Sequence, residues 1–491
     1  MALVRRCLVG IATVCALASV PGVSVARDGA VAGSGTVASA SASAGAVVSA
    51  KAGPGDVTRA AAAPLRLSMA AARDFAARLI ADGHPDEALV IAQAILRAHP
   101  DDVPAQVLAA RALRDMGRTD ASLRAARQAR VLAGTGEERF YAALVTAQAR
   151  ASAGHKTMAQ LWLRHAAEIA PDAEARALAL RDFRQVRGAN PWRFGLDLRV
   201  TPSDNLNGAP PTNSFVFAGL PFVNPGAVPL SGLRYGARLD AERRVALGSR
   251  ERLSFGLGVD LERVRLSPKA RALAVLEDAD LRRDSLRLRG GYERIAEDRR
   301  WLLRGGLEWA RHWAAGAVVS DSARAELSYA RDLGQGVALR LRGGLEQEWR
   351  HDLSLRDALT RDIGVTLSRQ SPHGVLSLDL ALAGTASQSR LVARDSARAV
   401  LGYRWARPVA GVLPRMSLSF EAVDYDQAPA RFWTAPRRDR DWRLGLDVVV
   451  PGLDYMGFAP EIGIGFRDRR STYSLYELRA SDLRIGLTSV F

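Results

Sequence analysis

From about Trp192 to Phe491, apolar and polar residues alternate in short segments. Leu253, Phe255, Leu257, Val259 and Leu261 are interleaved with Ser254, Gly256, Gly258, Asp260 and Glu262. Leu376, Leu378, Leu380 and Leu382 alternate with Ser377, Asp379, Ala381 and Ala383, and Trp442, Leu444, Leu446 and Val448 with Arg443, Gly445 and Asp447. A period of two puts each set on one face of a strand. An apolar face backed by a charged or small one, repeated strand after strand, is the pattern of a transmembrane β-barrel with hydrocarbon outside and water inside.

The pattern predicts fourteen antiparallel strands, near 192–201, 231–243, 250–266, 280–294, 299–314, 320–332, 335–351, 356–370, 373–388, 393–406, 411–427, 438–450, 458–471 and 480–491. Short connections such as Leu247-Gly248-Ser249, Ala296-Glu297-Asp298, Asp332-Leu333-Gly334 and Ser371-Pro372-His373-Gly374 alternate with longer ones at 202–230, 267–279 and 428–437. Outer-membrane barrels show this asymmetry between periplasmic turns and external loops. In the last segment Leu483, Ile485, Leu487 and Phe491 share a face opposite Asp482, Arg484 and Thr488. An amphipathic terminal strand with an aromatic end resembles the signal read by the barrel assembly machinery. That machinery, periplasmic chaperones and outer-membrane lipid are therefore expected partners. Trp349, Trp442, Tyr292 and Phe491 fall near strand ends, where aromatic girdles sit.

Between about Ser68 and Arg187 the period changes to helical, with Ala, Leu, Ile and Val at three- and four-residue steps. Gly83, Ala88 and Pro100 recur as Gly154, Ala159 and Pro171, with a partial copy at Gly117 and Ala121. The spacing is close to the ~34-residue period of the tetratricopeptide repeat, which it resembles: glycine in the turn, alanine at the helix contact, proline after the second helix. Stacked helix pairs of this kind offer a surface for protein or peptide. The expected organisation is a signal peptide at 1–26, a flexible Ala/Ser/Gly-rich leader at 27–67, a periplasmic helical domain at 68–190 and an outer-membrane barrel at 191–491.

Composition supports export. Arg5 and Arg6 precede an apolar stretch from Cys7 to about Val20, then Pro21 and small residues through Ala26, the layout of a secretory signal. Cys7 and Cys15 are the two cysteines of the chain, so the mature protein carries no thiol. Lys plus Arg number 68 against 52 Asp plus Glu, a formal net charge of +16. The arginines are spread among carboxylates rather than gathered in a basic run, which points to ion pairs lining a lumen and away from nucleic acid. Candidate lumen residues are Arg287, Arg289, Arg340, Arg342, Asp379, Glu421 and Asp447.

Catalytic and cofactor motifs are missing from the sequence: it has no H-E-x-x-H, no G-x-S-x-G and no paired cysteines, so neither an enzyme nor a cofactor is expected. Gly154-His155-Lys156-Thr157 reads as a turn between repeat helices. His351-Asp352 at a strand end reads as a solvated turn, with a loop-borne hydrolase as the alternative. For Ser203-Asp204-Asn205-Leu206-Asn207, a binding role and turn chemistry that closes the first strand are both open.

Domain order, strand count, the Pro191-Trp192 junction, the 203–207 stretch and the aromatic terminus together resemble the surface lipoprotein assembly modifier (Slam) family over residues 68–491. The resemblance implies an outer-membrane translocon that delivers particular client lipoproteins, or secreted haem-binding proteins, to the cell surface. In that picture the helical domain captures the client. The competing expectations are a polysaccharide-export porin or a general diffusion porin with a helical periplasmic scaffold.

Overall fold

The structure is a computed structural model and describes residues 67–489 apart from 218, 219, 225, 226, 275 and 432. The expected signal peptide, the leader up to residue 66 and Phe491 lie outside the described residues. The chain divides into two compact units between Ala179 and Leu180.

The first unit is helical: α1 (Met69–Ala81), α2 (Pro85–Ala98), α3 (Val103–Asp115), α4 (Thr119–Leu132), α5 (Gly136–Ser152), α6 (Lys156–Glu168) and the start of α7 (Ala173–Ala189), which runs on across the division. Polar side chains satisfy the free N–H groups at helix starts. Ser68 Oγ accepts from Ala71 N, and Asp102 Oδ1 accepts from Ala105 N at 2.9 Å. Thr135 and Glu138 close a reciprocal capping box on α5. The turns joining α1 to α2, α3 to α4 and α5 to α6 carry Gly83, Gly117 and Gly154 at φ of 86°, 74° and 84°, a left-handed region that any Cβ would strain. Pro100 and Pro171 follow the ends of α2 and α6 and cannot continue either helix. Ala88 and Ala159 are fully buried.

Alanine makes most of this core. Ala76, Ala88, Ala92 and Ala112 interlock with Ile80, Leu89, Leu108 and Leu113 across α1, α2 and α3. Ala110, Ala126, Ala129 and Ala142 do the same with Val103, Val107 and Val145 across α3, α4 and α5. Small side chains let helix backbones approach closely, and large anchors are few. Phe140 is among the largest fully buried side chains.

The second unit is a closed antiparallel barrel of fourteen strands. They are β1 (Trp192–Ser203), β4 (Gly232–Ala246), β5 (Glu251–Leu266), β6 (Arg283–Ile295), β7 (Trp301–Ala314), β8 (Ala317–Gly334), β9 (Val337–Arg350), β10 (Ala358–Gln370), β11 (Gly374–Ser387), β12 (Arg394–Trp405), β13 (Leu413–Tyr425), β14 (Arg438–Val449), β15 (Phe458–Ser471) and β16 (Leu478–Ser489). A separate hairpin, β2 (Ser214–Phe217) and β3 (Leu220–Val223), sits inside the first long loop and was not anticipated. A short helix, α8 (Pro268–Leu273), occupies the next long loop.

Each strand pairs with its sequence neighbours, and β1 meets β16 to close the cylinder. Connections 204–231, 267–282 and 426–437 gather at one end. Turns 247–250, 296–300, 335–336 and 371–373 gather at the other, together with Trp192 at the start of β1. The asymmetry is partial: β7 and β8 meet at the long-loop end through the tight Ala315-Gly316 turn, and connections 406–412 and 450–457 at the short-turn end are at least as long as 388–393 and 472–477 opposite them. Closure is uneven. β4 pairs with β1 from Trp192 to Ser203, whereas β16 pairs with it from Leu198, skipping Thr201 and Pro202. Proline has no N–H to give to a ladder, which accounts for a gap beside it.

Candidate functional site

Directly opposed residues on neighbouring strands share a face, so the register sorts the wall into an inner and an outer set. Leu253, Phe255 and Leu257 oppose Tyr292, Gly290 and Leu288, which in turn oppose Gly305, Leu307 and Trp309. This apolar set is exposed, with Leu307 at 68 % and Ile363 at 63 % of full exposure. Between these large side chains, small residues such as Gly290, Gly305 and Gly343 help line an apolar hollow of about 1200 Å³ together with Leu327, Ile363 and Leu382. Aromatic pairs mark the margins of the band. Trp192–Phe194, Trp301–Tyr329 and Tyr403–Trp405 lie toward the short-turn end, and Phe420–Trp442 toward the other.

The alternate set is polar, and all seven candidate lumen residues fall on it: Arg287 and Arg289 on β6, Arg340 and Arg342 on β9, Asp379 on β11, Glu421 on β13 and Asp447 on β14. Their contacts follow a rule that the sequence period does not reveal. Arg342 on β9 opposes Gly364 on β10, and its guanidinium passes over that glycine to Asp379 on β11, at 2.5 and 3.0 Å. A Cβ on Gly364 would lie 2.7 Å from Arg342 Cζ. Thr366 donates to the same Asp379 carboxylate at 2.7 Å.

The arrangement recurs three times around the wall. Arg324 on β8 reaches Asp362 on β10 at 2.7 Å, across Gly344 on β9. Arg289 on β6 reaches Asp240 on β4 across Gly256 on β5. Arg484 on β16 reaches Asp447 on β14 at 2.7 Å across Gly463 on β15. Each brace ties three strands together, and the glycine of the middle strand leaves room for the planar guanidinium to cross. Arg287 pairs with Asp260 at 2.5 Å, and Arg443 with Glu421 at 3.2 Å. No ion pair of Arg340 is present among the described residues. The braces are only partly buried, so each contributes about 0–1 kcal/mol to stability. Their consequence is a wall that is charged yet locally neutralised.

Near the long-loop end, Arg437 is held by Asp439 at 2.5 Å and lies over the rings of Tyr425 and Tyr476, at 4.5 and 3.7 Å. Asp441, also buried, accepts from Arg467 and Arg443. This cluster was missed in sequence. A signal existed in the run Arg438-Asp439-Arg440-Asp441 directly after Arg437, where charges of alternating sign fill the start of a strand that should be half apolar.

The 203–207 stretch resolves toward turn chemistry. Asn205 donates through Nδ2 to Ala209 O at 2.8 Å and to Arg479 O at 3.1 Å, and its Oδ1 accepts from Ala209 N. Asn207 bonds Val228 O and Leu230 N, and Asp204 accepts from Ser481 N at 2.9 Å. These side chains pin the loop to itself and to β16, beside the gap at Thr201 and Pro202. His351 and Asp352 do not act as a pair. His351 Nε2 lies 3.0 Å from Asp321, whereas Asp352 takes both Arg350 nitrogens at 2.8 and 2.6 Å. The Arg350 guanidinium, aided by local backbone N–H groups, holds the Asp352 carboxyl down to about 2. Among the described residues no cluster of three or more His, Cys, Asp or Glu could hold a metal ion.

No protein-family model and no curated protein matches the chain. Solved structures with a similar fold include OccAB3 of Acinetobacter baumannii, at 7 % identity and a TM-score of 0.34, covering 61 % of this chain and 99 % of that one. A BenF-like porin from Pseudomonas fluorescens Pf-5 aligns at 11 % identity with a TM-score of 0.33, over 61 % and 98 % of the two chains. A bacterial polysaccharide outer membrane secretin aligns at 10 % identity with a TM-score of 0.32, over 60 % and 98 %.

Proposed function

We propose that the protein is an outer-membrane translocon in which the helical unit, on the periplasmic side, captures an exported client and feeds it to the barrel. The clients in this reading are specific lipoproteins or secreted haem-binding proteins, as the Slam resemblance implies. The observation that carries the proposal is the union of two surfaces in one chain: a helical array with repeat-like turns, and a barrel whose outer wall is apolar and whose inner wall is charged. An apolar wall of this extent calls for hydrocarbon, and an ion-paired interior calls for water. A simple diffusion channel has no use for the helical unit, which is why the translocon reading is preferred.

Size restricts the route. Fourteen strands spaced about 4.8 Å apart and tilted about 40° give a backbone radius of about 14 Å, of which inward side chains take several ångströms. A folded domain of 100 residues has a radius of gyration of about 13 Å and does not fit such a bore. Luminal passage therefore requires an unfolded client, with folding outside as a source of directionality. The neutralised braces leave few bare charges to trap a moving chain.

The test is deletion of residues 68–187 in the native host, with surface proteins released by protease shaving and identified by mass spectrometry. The proposal expects a small set of exported proteins to leave the surface and accumulate inside. An unchanged surface set, with the truncated barrel verified in the outer membrane, overturns capture by the helical unit. Steady single-channel conductance from the intact purified protein, together with an unchanged surface set, favours the porin reading.

A further inference from the structure

In the helical unit, α4 and α6 both pack on α5. The space between them is a cavity of about 140 Å³. Leu123, Arg127 and Arg130 reach it from one face of α4, Thr146 and Arg150 from α5, and His155 and Trp162 from the start and middle of α6. The i, i+4, i+7 spacing on α4 and the i, i+4 spacing on α5 make this convergence a property of the helices.

Three arginines thus line the space with no carboxylate among the lining residues. Thr146 is already committed, donating to Ala142 O at 2.7 Å. Arg130 lies over the Trp162 ring at 5.5 Å, which orients it but leaves its charge uncompensated. Arg150 Nε is shut away from solvent without a hydrogen-bond partner. A buried donor left unsatisfied, beside two like charges, costs free energy that an anion would return. The contrast with the barrel is direct, since most arginines of the inner wall have their own carboxylate.

We propose that this pocket binds the carboxylate of an acidic polypeptide segment, a glutamate or aspartate side chain or a C-terminus. Guanidinium forks suit the planar carboxylate. Leu123 and Trp162 add apolar walls that an alkyl stem uses and a free inorganic anion does not. The assignment deepens the capture reading by naming the chemistry that the helical unit recognises. The two fail separately, because capture is judged on surface display in cells and this pocket on binding in solution.

The experiment uses the full mature chain in detergent micelles, with a fluorescein-labelled oligoglutamate peptide and its oligoglutamine counterpart as probes and inorganic phosphate as competitor. Arg127 and Arg130 are exposed, so Arg127→Gln with Arg130→Gln leaves the helices intact. Arg150→Lys tests the fork, since lysine keeps the charge and loses the geometry. The oligoglutamate peptide is expected to bind more tightly than oligoglutamine, the double variant to lose on the order of tenfold in affinity, and Arg150→Lys to lose less. Barrel arginines are common to all variants and cancel in the comparison. Equal binding of the two peptides, or wild-type affinity in the double variant, overturns the site. Phosphate binding more tightly than the peptide assigns the pocket to a free anion and overturns the polypeptide partner.

Discussion

The two units are turned inside out with respect to each other. In the helical unit apolar side chains point inward and pack against alanines, and the arginines lie mostly outside. In the barrel the apolar side chains point outward, and arginines and carboxylates fill the interior. Leucine and arginine serve in both, while alanine is concentrated in the helical unit and glycine in the barrel. Period sets the direction of the side chains: steps of three and four place one stripe on a cylinder, and steps of two divide a wall into two faces. Small residues are needed in both for opposite reasons. Alanine lets apolar helices approach, and glycine lets an arginine cross a strand to its carboxylate.

Truncating the same kind of side chain in each unit tests the contrast most strongly. Phe140→Ala is expected to cost the helical unit about 3–5 kcal/mol, because Phe140 is fully buried. Leu307→Ala on the barrel wall removes no interior contact, and the melting of the barrel should stay nearly unchanged. Far-UV circular dichroism of the full chain separates helix melting from strand melting, and equal losses would erase the distinction.

Charge insertion sharpens it from the other side. Ile363→Arg places a cation on the apolar wall and is expected to cost about 2–4 kcal/mol of folding into vesicles if the site lies near the bilayer midplane. Thr360→Arg, on the polar face of the same strand opposite Glu346, should be tolerated. Folding yields read by heat-modifiable gel mobility check the pair. The reading of the two faces is wrong if Thr360→Arg is the worse variant.

A subtler change probes the braces. Gly364→Ala pushes a methyl group into the Arg342 guanidinium and separates it from Asp379. Stability should fall by about 1 kcal/mol or less, while ion selectivity of the reconstituted barrel shifts because an arginine and an aspartate become unpaired. Selectivity identical to that of the wild type would mean that the pair does not face the conducting path.

The smallest effect lies at the start of α5. Glu138 accepts from the backbone N–H of Thr135 and Gly134 at 3.0 and 2.9 Å, and these bonds pull its carboxyl below the usual range. A depressed folded value means that the stabilisation is complete above the unfolded carboxylate value and is lost as pH falls through the folded one. Helix melting should weaken slightly on acidification through that window, and Glu138→Gln should remove this part of the pH dependence. A variant that tracks the wild type across acid pH argues against the cap.

Much of the barrel was legible because its signal is repeated. Every anticipated strand falls within a few residues of its place, and the largest error, at β8, comes from a strand that runs on through Ala317 to Gly334 into tight turns. The β2–β3 hairpin was not legible, since Ser214–Phe217 and Leu220–Val223 are too short to show a period. The 203–207 stretch was readable as polar turn residues. Whether they bind a ligand or their own backbone depends on Arg479 and Ser481, far away in the chain.

Alternation along each segment determined by itself that the second half would form strands with one apolar and one polar face, because a strand can present side chains only to two sides. Helical steps and turn glycines did the same for the first half. Which arginine meets which carboxylate, and which glycine lies beneath it, was decided by the register between strands, since Arg342, Gly364 and Asp379 become neighbours only once β9, β10 and β11 are aligned. The cluster of Arg127, Arg130 and Arg150 likewise exists only after α4 and α6 settle on α5. Local period is a property of one segment; charge pairing is a property of the distance between segments, which tertiary packing alone sets.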